Sequence, residues 1–154
     1  MNILAARSDV FRAMFLNNMM ERRTKRVDVQ DVNPGVVGEM LNFIYTGIRI
    51  TNEDVLKEKA AELLGASNRY QLELLKSICE NKLCSSLKVG NSIEGLIFGD
   101  MYQASKLKRM SLMMVASNMA TLVGTEEYKN LVKKHPVLAS RIPAAMVEVM
   151  ANPK

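Results

Sequence analysis

Few residues in this chain combine a reactive side chain with a spacing that chemistry requires. Cys79 and Cys84 are the only cysteines, and five residues correspond to about 500° around a helix, so their thiols face different directions. This separation disfavours a disulfide, and two thiols with the single histidine, His135, do not complete a closed zinc site. His135 precedes Pro136 in a pair typical of a turn. We therefore expect no metal site and no cofactor.

The carboxylates offer no better basis for catalysis. Glu94 and Asp100 lie six residues apart in one helical pattern, and nothing in the sequence unites them for acid–base work. Gly95 and Gly99 form a GxxxG pattern in the same stretch, which is a short amphipathic segment and not a membrane span. Close packing against another helix is the better explanation of these two glycines. We expect that the protein is not an enzyme.

The composition is that of a globular chain with room for one compact domain or two small ones. Of 154 residues, 48% are apolar and 24% are charged. The net charge of +5 could attract nucleic acid, but the basic residues are scattered and no zinc-finger, basic-helix or RNA-binding signature accompanies them. No apolar run reaches transmembrane length, and the N-terminus does not resemble a signal peptide. We expect no nucleic-acid or membrane partner and a location in the nucleus or cytoplasm.

Helical patterns dominate, with one exception near the N-terminus. Residues 3–15 predict a helix that is broken near Ser8, which can cap the turn that follows. Residues 26–30, RVDVQ, alternate between apolar and polar side chains. This alternation predicts a short strand with Val27 and Val29 on one side.

Stronger start and stop signals surround the next helix. Asn33 is a suitable cap, Pro34 suits the first helical position, and Gly47 can end the helix in a left-handed turn. A soft joint follows much later, at residues 87–90. Further helices are predicted over residues 53–70, 71–83, 92–104, 107–122 and 126–134, with a last one after Pro143.

Several of these segments, in this order, are similar to parts of one known family. LAARSDVFRAMF, VDVQDV and LNFIYTG resemble a helix, a strand and the end of a second helix in the BTB/POZ domain, in particular that of speckle-type POZ proteins. KEKAAELLGASNRYQLELLKSICENKLCSSL resembles the helix pair that closes the domain. NSIEGLIFGDMYQASKLKRMSLMMVASN and EEYKNLVKKHPVL resemble the shortened BACK region of the same proteins.

The resemblance implies a mostly α (α/β) chain: an incomplete BTB/POZ fold over residues 1–87, with a helical BACK-like extension over residues 88–154. The family's opening helix and first two strands have no counterpart here, so Val27 and Val29 lack an evident strand partner. We therefore expect a truncated product or fragment, less stable than a complete BTB domain. The substrate-binding MATH domain of speckle-type relatives has no counterpart either, which implies that another subunit finds protein substrates.

The resemblance also implies where a partner binds. Cullin-binding BTB proteins carry a hydrophobic-x-Glu motif just after the VFRAMF-like helix, and Met19, Met20 and Glu21 occupy that place. Met19 is expected to anchor the contact and Glu21 to set its register through a charge-assisted hydrogen bond. Tyr45, in FIYTG, offers an amphipathic ring of the kind favoured at interface centres.

Two functions of different classes follow. The first is a protein–protein interaction adaptor that links substrates to a cullin-RING ubiquitin ligase. The second is a self-associating structural module that oligomerises through its BACK-like helices, or a non-functional fragment, in either case without cullin binding. Only the first requires the turn at residues 19–21 to be exposed. A DNA-binding function rests on net charge alone.

Overall fold

The computed structural model describes residues 3–17, 23–24, 27–30, 32–47 and 53–153. The chain divides into two compact units, residues 1–82 and 83–154. The described helices up to the division are α1 (Ile3–Arg7), α2 (Asp9–Asn17), α3 (Pro34–Thr46), α4 (Glu53–Arg69) and α5 (Glu73–Ser85), whose last turn contains the division. Then come a 3-10 turn (Val89–Asn91), α6 (Ser92–Met101), α7 (Ser105–Ser117), α8 (Met119–Leu122), α9 (Glu126–Lys134), α10 (Pro136–Ala139) and α11 (Ile142–Ala151).

No strand forms within the described ranges, so the strand predicted over residues 26–30 is wrong there; Arg26 itself lies outside them. Residues 27–29 are irregular and Gln30 lies in a turn. The alternation is real, because Val27 and Val29 are half-buried while Asp28 and Gln30 are exposed. A strand, however, exists only through ladder hydrogen bonds to a second extended segment, and the described residues supply none.

Ser8 separates α1 from α2 and connects this break to Tyr70, the residue that follows α4. Its Oγ accepts a hydrogen bond from the backbone N–H of Phe11 (3.3 Å), as expected of a cap. The same hydroxyl donates to the backbone carbonyl of Tyr70 (2.6 Å), and Ser8 is buried. The Phe11 ring stacks on the Tyr70 ring with centroids 4.8 Å apart. One serine thus serves as a local cap and as a long-range anchor.

Both ends of α3 follow the predicted signals. The Asn33 side chain accepts from the Gly35 N–H (2.9 Å), Pro34 begins the helix, and Gly47 ends it with φ = 81°. The Gly47 N–H donates to the Phe43 carbonyl (2.9 Å). This left-handed geometry favours glycine because a Cβ would be strained there. The buried face consists of Val36, Met40, Phe43 and Ile44.

The unit that ends the chain has its own apolar core. Its members come from α6, α7, α8, α9, α10 and α11: Ile93, Leu96, Val115, Leu122, Leu131, Leu138 and Ile142. The two glycines predicted to allow close packing lie on α6. A Cβ on Gly99 would lie 2.5 Å from the backbone nitrogen of Lys108 on α7, and a Cβ on Gly95 would lie 2.6 Å from Ser111 Oγ. The close helix packing inferred from GxxxG is confirmed.

The segment from α7 to α10 corrects one helix prediction and confirms one predicted turn. The single helix predicted over residues 107–122 is interrupted at Asn118, whose side-chain nitrogen donates to the Met114 carbonyl (2.8 Å) at the end of α7. His135 lies between α9 and α10: its N–H donates to the Leu131 carbonyl and its carbonyl accepts from Ala139. Its backbone therefore performs the turn role inferred from the sequence, and the short α10 begins at Pro136.

Candidate protein-interaction surface

Tyr45 is a large aromatic residue that the fold leaves in solvent. Phe43 and Ile44, which precede it on α3, are buried, whereas Tyr45 is 57% exposed. Successive side chains on a helix point about 100° apart, so the Tyr45 side chain points away from the core although that of Ile44 points into it. Thr46, also exposed, donates its hydroxyl to the Asn42 carbonyl (2.7 Å). The ring is thus displayed on a capped helix end, which suits contact with a partner.

Met19, Met20 and Glu21 lie outside the described residues, so their roles stay predictions. The helix before them is described: α2 ends at Asn17, and an ion pair joins Asp9 to Arg12 (3.1 Å) in its first turn.

Leu16 is an exposed apolar residue that the sequence analysis did not single out. It lies in the last turn of α2 and is 68% exposed. The sequence already indicated this exposure, because Phe11, Met14 and Phe15 account for the buried face of this helix and leave Leu16 on another side. A single exposed leucine is common on protein surfaces. Leu16 is a candidate contact residue because it lies just before residues 19–21.

The α11 helix carries a second apolar surface that the sequence analysis did not assign. Ile142 and Ala145 are buried, yet Val147 and Met150 are 67% and 78% exposed. Glu148 is the single charged residue of α11, and a helix that is apolar on nearly all sides usually packs against other protein on most of its surface. That composition could have been noticed in IPAAMVEVMA. We define Val147 and Met150 as the α11 patch.

The chemically reactive side chains that the structure describes do not come together into a site. Glu94 is exposed, and Asp100 accepts a hydrogen bond from the Lys108 ammonium (2.5 Å). Cys79 is buried, and burial raises the pKa of its thiol from 9.0 to about 12. Among the described residues, no cluster of three or more histidine, cysteine or acidic side chains could hold a metal ion. None of the described helices is long and apolar enough to cross a membrane.

Comparison with known proteins identifies the fold family. The BTB/POZ domain model matches residues 2–87. The chain is 39% identical over 136 residues to the TD and POZ domain-containing protein 5 of Mus musculus, an alignment that covers 88% of this chain. It spans 39% of the length of that relative. With its mostly helical architecture and helical extension, the chain belongs to the BTB/POZ family of protein-interaction modules.

Proposed function

We propose that this protein is an adaptor that links protein substrates to a cullin-RING ubiquitin ligase. The observation that carries this proposal is the exposed Tyr45 ring at the capped end of α3, in a domain whose family binds other proteins. Tyrosine is enriched among residues that dominate binding energy, because its ring supplies contact area at low entropic cost.

The segment of residues 19–21 would supply the second part of the contact. It follows α2, whose last turn exposes Leu16. An apolar Met19 side chain entering a groove on the partner would contribute about 1.5–3 kcal/mol on full burial. The Glu21 carboxylate would fix the register through a charge-assisted hydrogen bond. Met20, between them, would complete the turn that meets the partner.

A double substitution tests this assignment. Met19→Asp with Glu21→Lys removes the anchor and reverses the register-setting charge, so affinity for an N-terminal cullin fragment should fall at least about tenfold, which corresponds to about 1.4 kcal/mol. Calorimetry measures the affinity, and circular dichroism should show unchanged helicity. Equal affinity in a folded double variant would remove residues 19–21 from the contact.

The chain offers a matched control with the same residue types at the same spacing. Glu148 and Met150 are both exposed on α11, so Met150→Asp with Glu148→Lys makes the same chemical changes elsewhere. This control should bind the cullin fragment as the unaltered chain does. A loss of affinity in both double variants would show that the effect is not specific to residues 19–21.

The α11 patch favours a second candidate function, self-association through the C-terminal helices. Val147 and Met150 expose apolar surface on a helix that is already anchored by Ile142 and Ala145. Burying such surface against a second copy would remove it from water. Light scattering decides: the Met150→Asp, Glu148→Lys variant should lower the mass of any oligomer, whereas the Met19→Asp, Glu21→Lys variant should not.

The two regions of the chain would have different roles. Residues 1–87 would form the BTB/POZ contact domain and residues 88–154 a BACK-like region. Because Tyr45 lies in the matched part of the chain, the adaptor surface would reside there. Substrates would be bound by another subunit, and the protein would act in the nucleus or cytoplasm.

A further inference from the structure

The α3 helix ends without a basic residue of its own. Four of the other helices named above have one in their last turn, namely Arg7 in α1, Arg69 in α4, Lys82 in α5, and Lys133 with Lys134 in α9, and the other six have none. In α3 the last turn contains none. A cation at this end is favourable, because the unpaired carbonyls of the last turn carry partial negative charge.

Arg7, from α1, supplies a cation at this position. A Cβ built on Gly47 would lie 3.1 Å from both Nη1 and Nη2 of Arg7, so the guanidinium lies directly against the residue that caps α3. Gly47 is buried. The bond that ends the helix, from the Gly47 N–H to the Phe43 carbonyl (2.9 Å), therefore lies beside this side chain.

The backbone of Arg7 is itself held in place. Its neighbour Ser8 is buried and donates to the Tyr70 carbonyl (2.6 Å). One turn earlier, the Ala5 carbonyl accepts a hydrogen bond from Arg12 Nε (3.0 Å). Both bonds restrain the backbone of the short α1 helix, from which the exposed Arg7 side chain extends.

We propose that Arg7 is a positioning residue that holds the last turn of α3, and with it Tyr45, in the conformation that binds the partner. Tyr45 lies two residues before Gly47, within the turn that the Gly47 N–H closes. Loosening that turn would let the exposed ring sample other orientations, and ordering it again would cost binding energy. The link to Tyr45 rests on the proposed function, whereas the stabilisation of the turn does not.

Hydrogen exchange of the Gly47 amide in the full chain tests the stabilisation. Arg7→Gln retains length and hydrogen-bonding capacity but removes the charge, and it should accelerate exchange about two- to fivefold, the range expected for a cation at a helix end. Arg7→Lys should restore most of the protection. Lys133→Ala removes the same charge from the end of α9 and should leave Gly47 unchanged. Equal exchange in the Arg7→Gln variant and the unaltered chain would overturn the inference.

A double-mutant cycle with Tyr45→Ala tests the link to binding. Arg7→Gln should weaken cullin-fragment binding in the Tyr45 background and have little effect once Tyr45 is alanine, because the two changes would act through one ring. Additive losses would show that Arg7 does not act through Tyr45 and would overturn that part. If the unaltered chain binds no cullin fragment, the proposed function fails, and Gly47 exchange alone decides the role of Arg7.

Discussion

Cys79 illustrates how burial alone can make a thiol unreactive as a nucleophile. Its thiol is fully buried on α5, and desolvation raises its pKa from 9.0 to about 12, because the charged thiolate loses its hydration. The nucleophilic form of cysteine is the thiolate. At neutral pH this side chain therefore acts as a small apolar residue.

The pH dependence of stability follows from the same shift. Below pH 9 the thiol is protonated in both the folded and the unfolded chain. Between about pH 9 and pH 12 only the unfolded chain loses the proton, so the free energy of unfolding should fall by up to about 1.4 kcal/mol per pH unit. Urea titrations at pH 8 and pH 10 measure this fall. The Cys79→Ala variant should show a smaller fall, and an equal fall in both chains would contradict the assignment.

Ser8 should be one of the most sensitive small residues in the first unit. Ser8→Ala removes a cap for the Phe11 N–H and leaves the Tyr70 carbonyl without this donor. We expect the free energy of unfolding to drop by about 1–3 kcal/mol. Chemical denaturation followed by circular dichroism measures the drop.

Ser117→Ala is the matched control for Ser8. Its exposed hydroxyl also donates to a backbone carbonyl, that of Met113 (2.8 Å), but makes no long-range bond. Its effect should remain within about 0.5 kcal/mol. If both serine variants lose equal stability, the bond from Ser8 to Tyr70 contributes nothing beyond a local hydroxyl.

Residue types with strong local preferences were predictable from the sequence. Asn33, Pro34 and Gly47 took the positions that their backbone chemistry favours, and Ser8 was recognised as a cap. The bond from Ser8 to Tyr70 was not predictable, because the partners are 62 residues apart. The approach of Arg7 to Gly47 was missed for the same reason: no local pattern reports which helix ends meet in space.

At the scale of elements, the close approach of α6 to α7 depends on Gly99, which has no side chain. The Gly99 Cα lies so near the Lys108 backbone that an added Cβ would meet its nitrogen at 2.5 Å and its Cα at 2.6 Å. Backbone atoms of a packed helix cannot shift as a flexible side chain can. The spacing of α6 and α7 is therefore set at this contact.

Gly99→Ala should separate these two helices and destabilise the protein. Overpacking of this kind costs about 1–3 kcal/mol, which exceeds the gain in helix propensity. Gly38→Ala on α3 is the control, because a Cβ there meets nothing within 4 Å; it should be neutral or stabilising by up to about 1 kcal/mol. Thermal or urea unfolding measures both variants, and a stabilising Gly99→Ala would contradict the close packing.

Element types were predicted better than their limits. The helical period identified each long helix that the structure describes, while Asn118 divided one of them through a side-chain bond to the preceding turn. The strand over residues 26–30 failed within the described residues because alternation indicates a half-buried extended segment, not a ladder partner. Strand pairing requires two segments, so the alternating pattern of one segment cannot predict it.

At the scale of the whole molecule, the first unit contains both residues that the proposals link, Arg7 and Tyr45, and the second contains the α11 patch. The family assignment covers residues 2–87 and identifies an interaction module. The order of segments was sufficient to predict that family. The partner was not predictable to the same degree, because exposed side chains such as Tyr45 report that a surface is available and not what occupies it.

The most direct test of the adaptor function is calorimetry of the purified chain with an N-terminal cullin fragment, with light scattering on the same sample. We predict saturable binding with a dissociation constant in the micromolar range or tighter, by a folded, helical protein. Absence of binding by a folded, non-aggregating sample would contradict the adaptor function. An oligomer in that same sample would then favour self-association through the α11 patch.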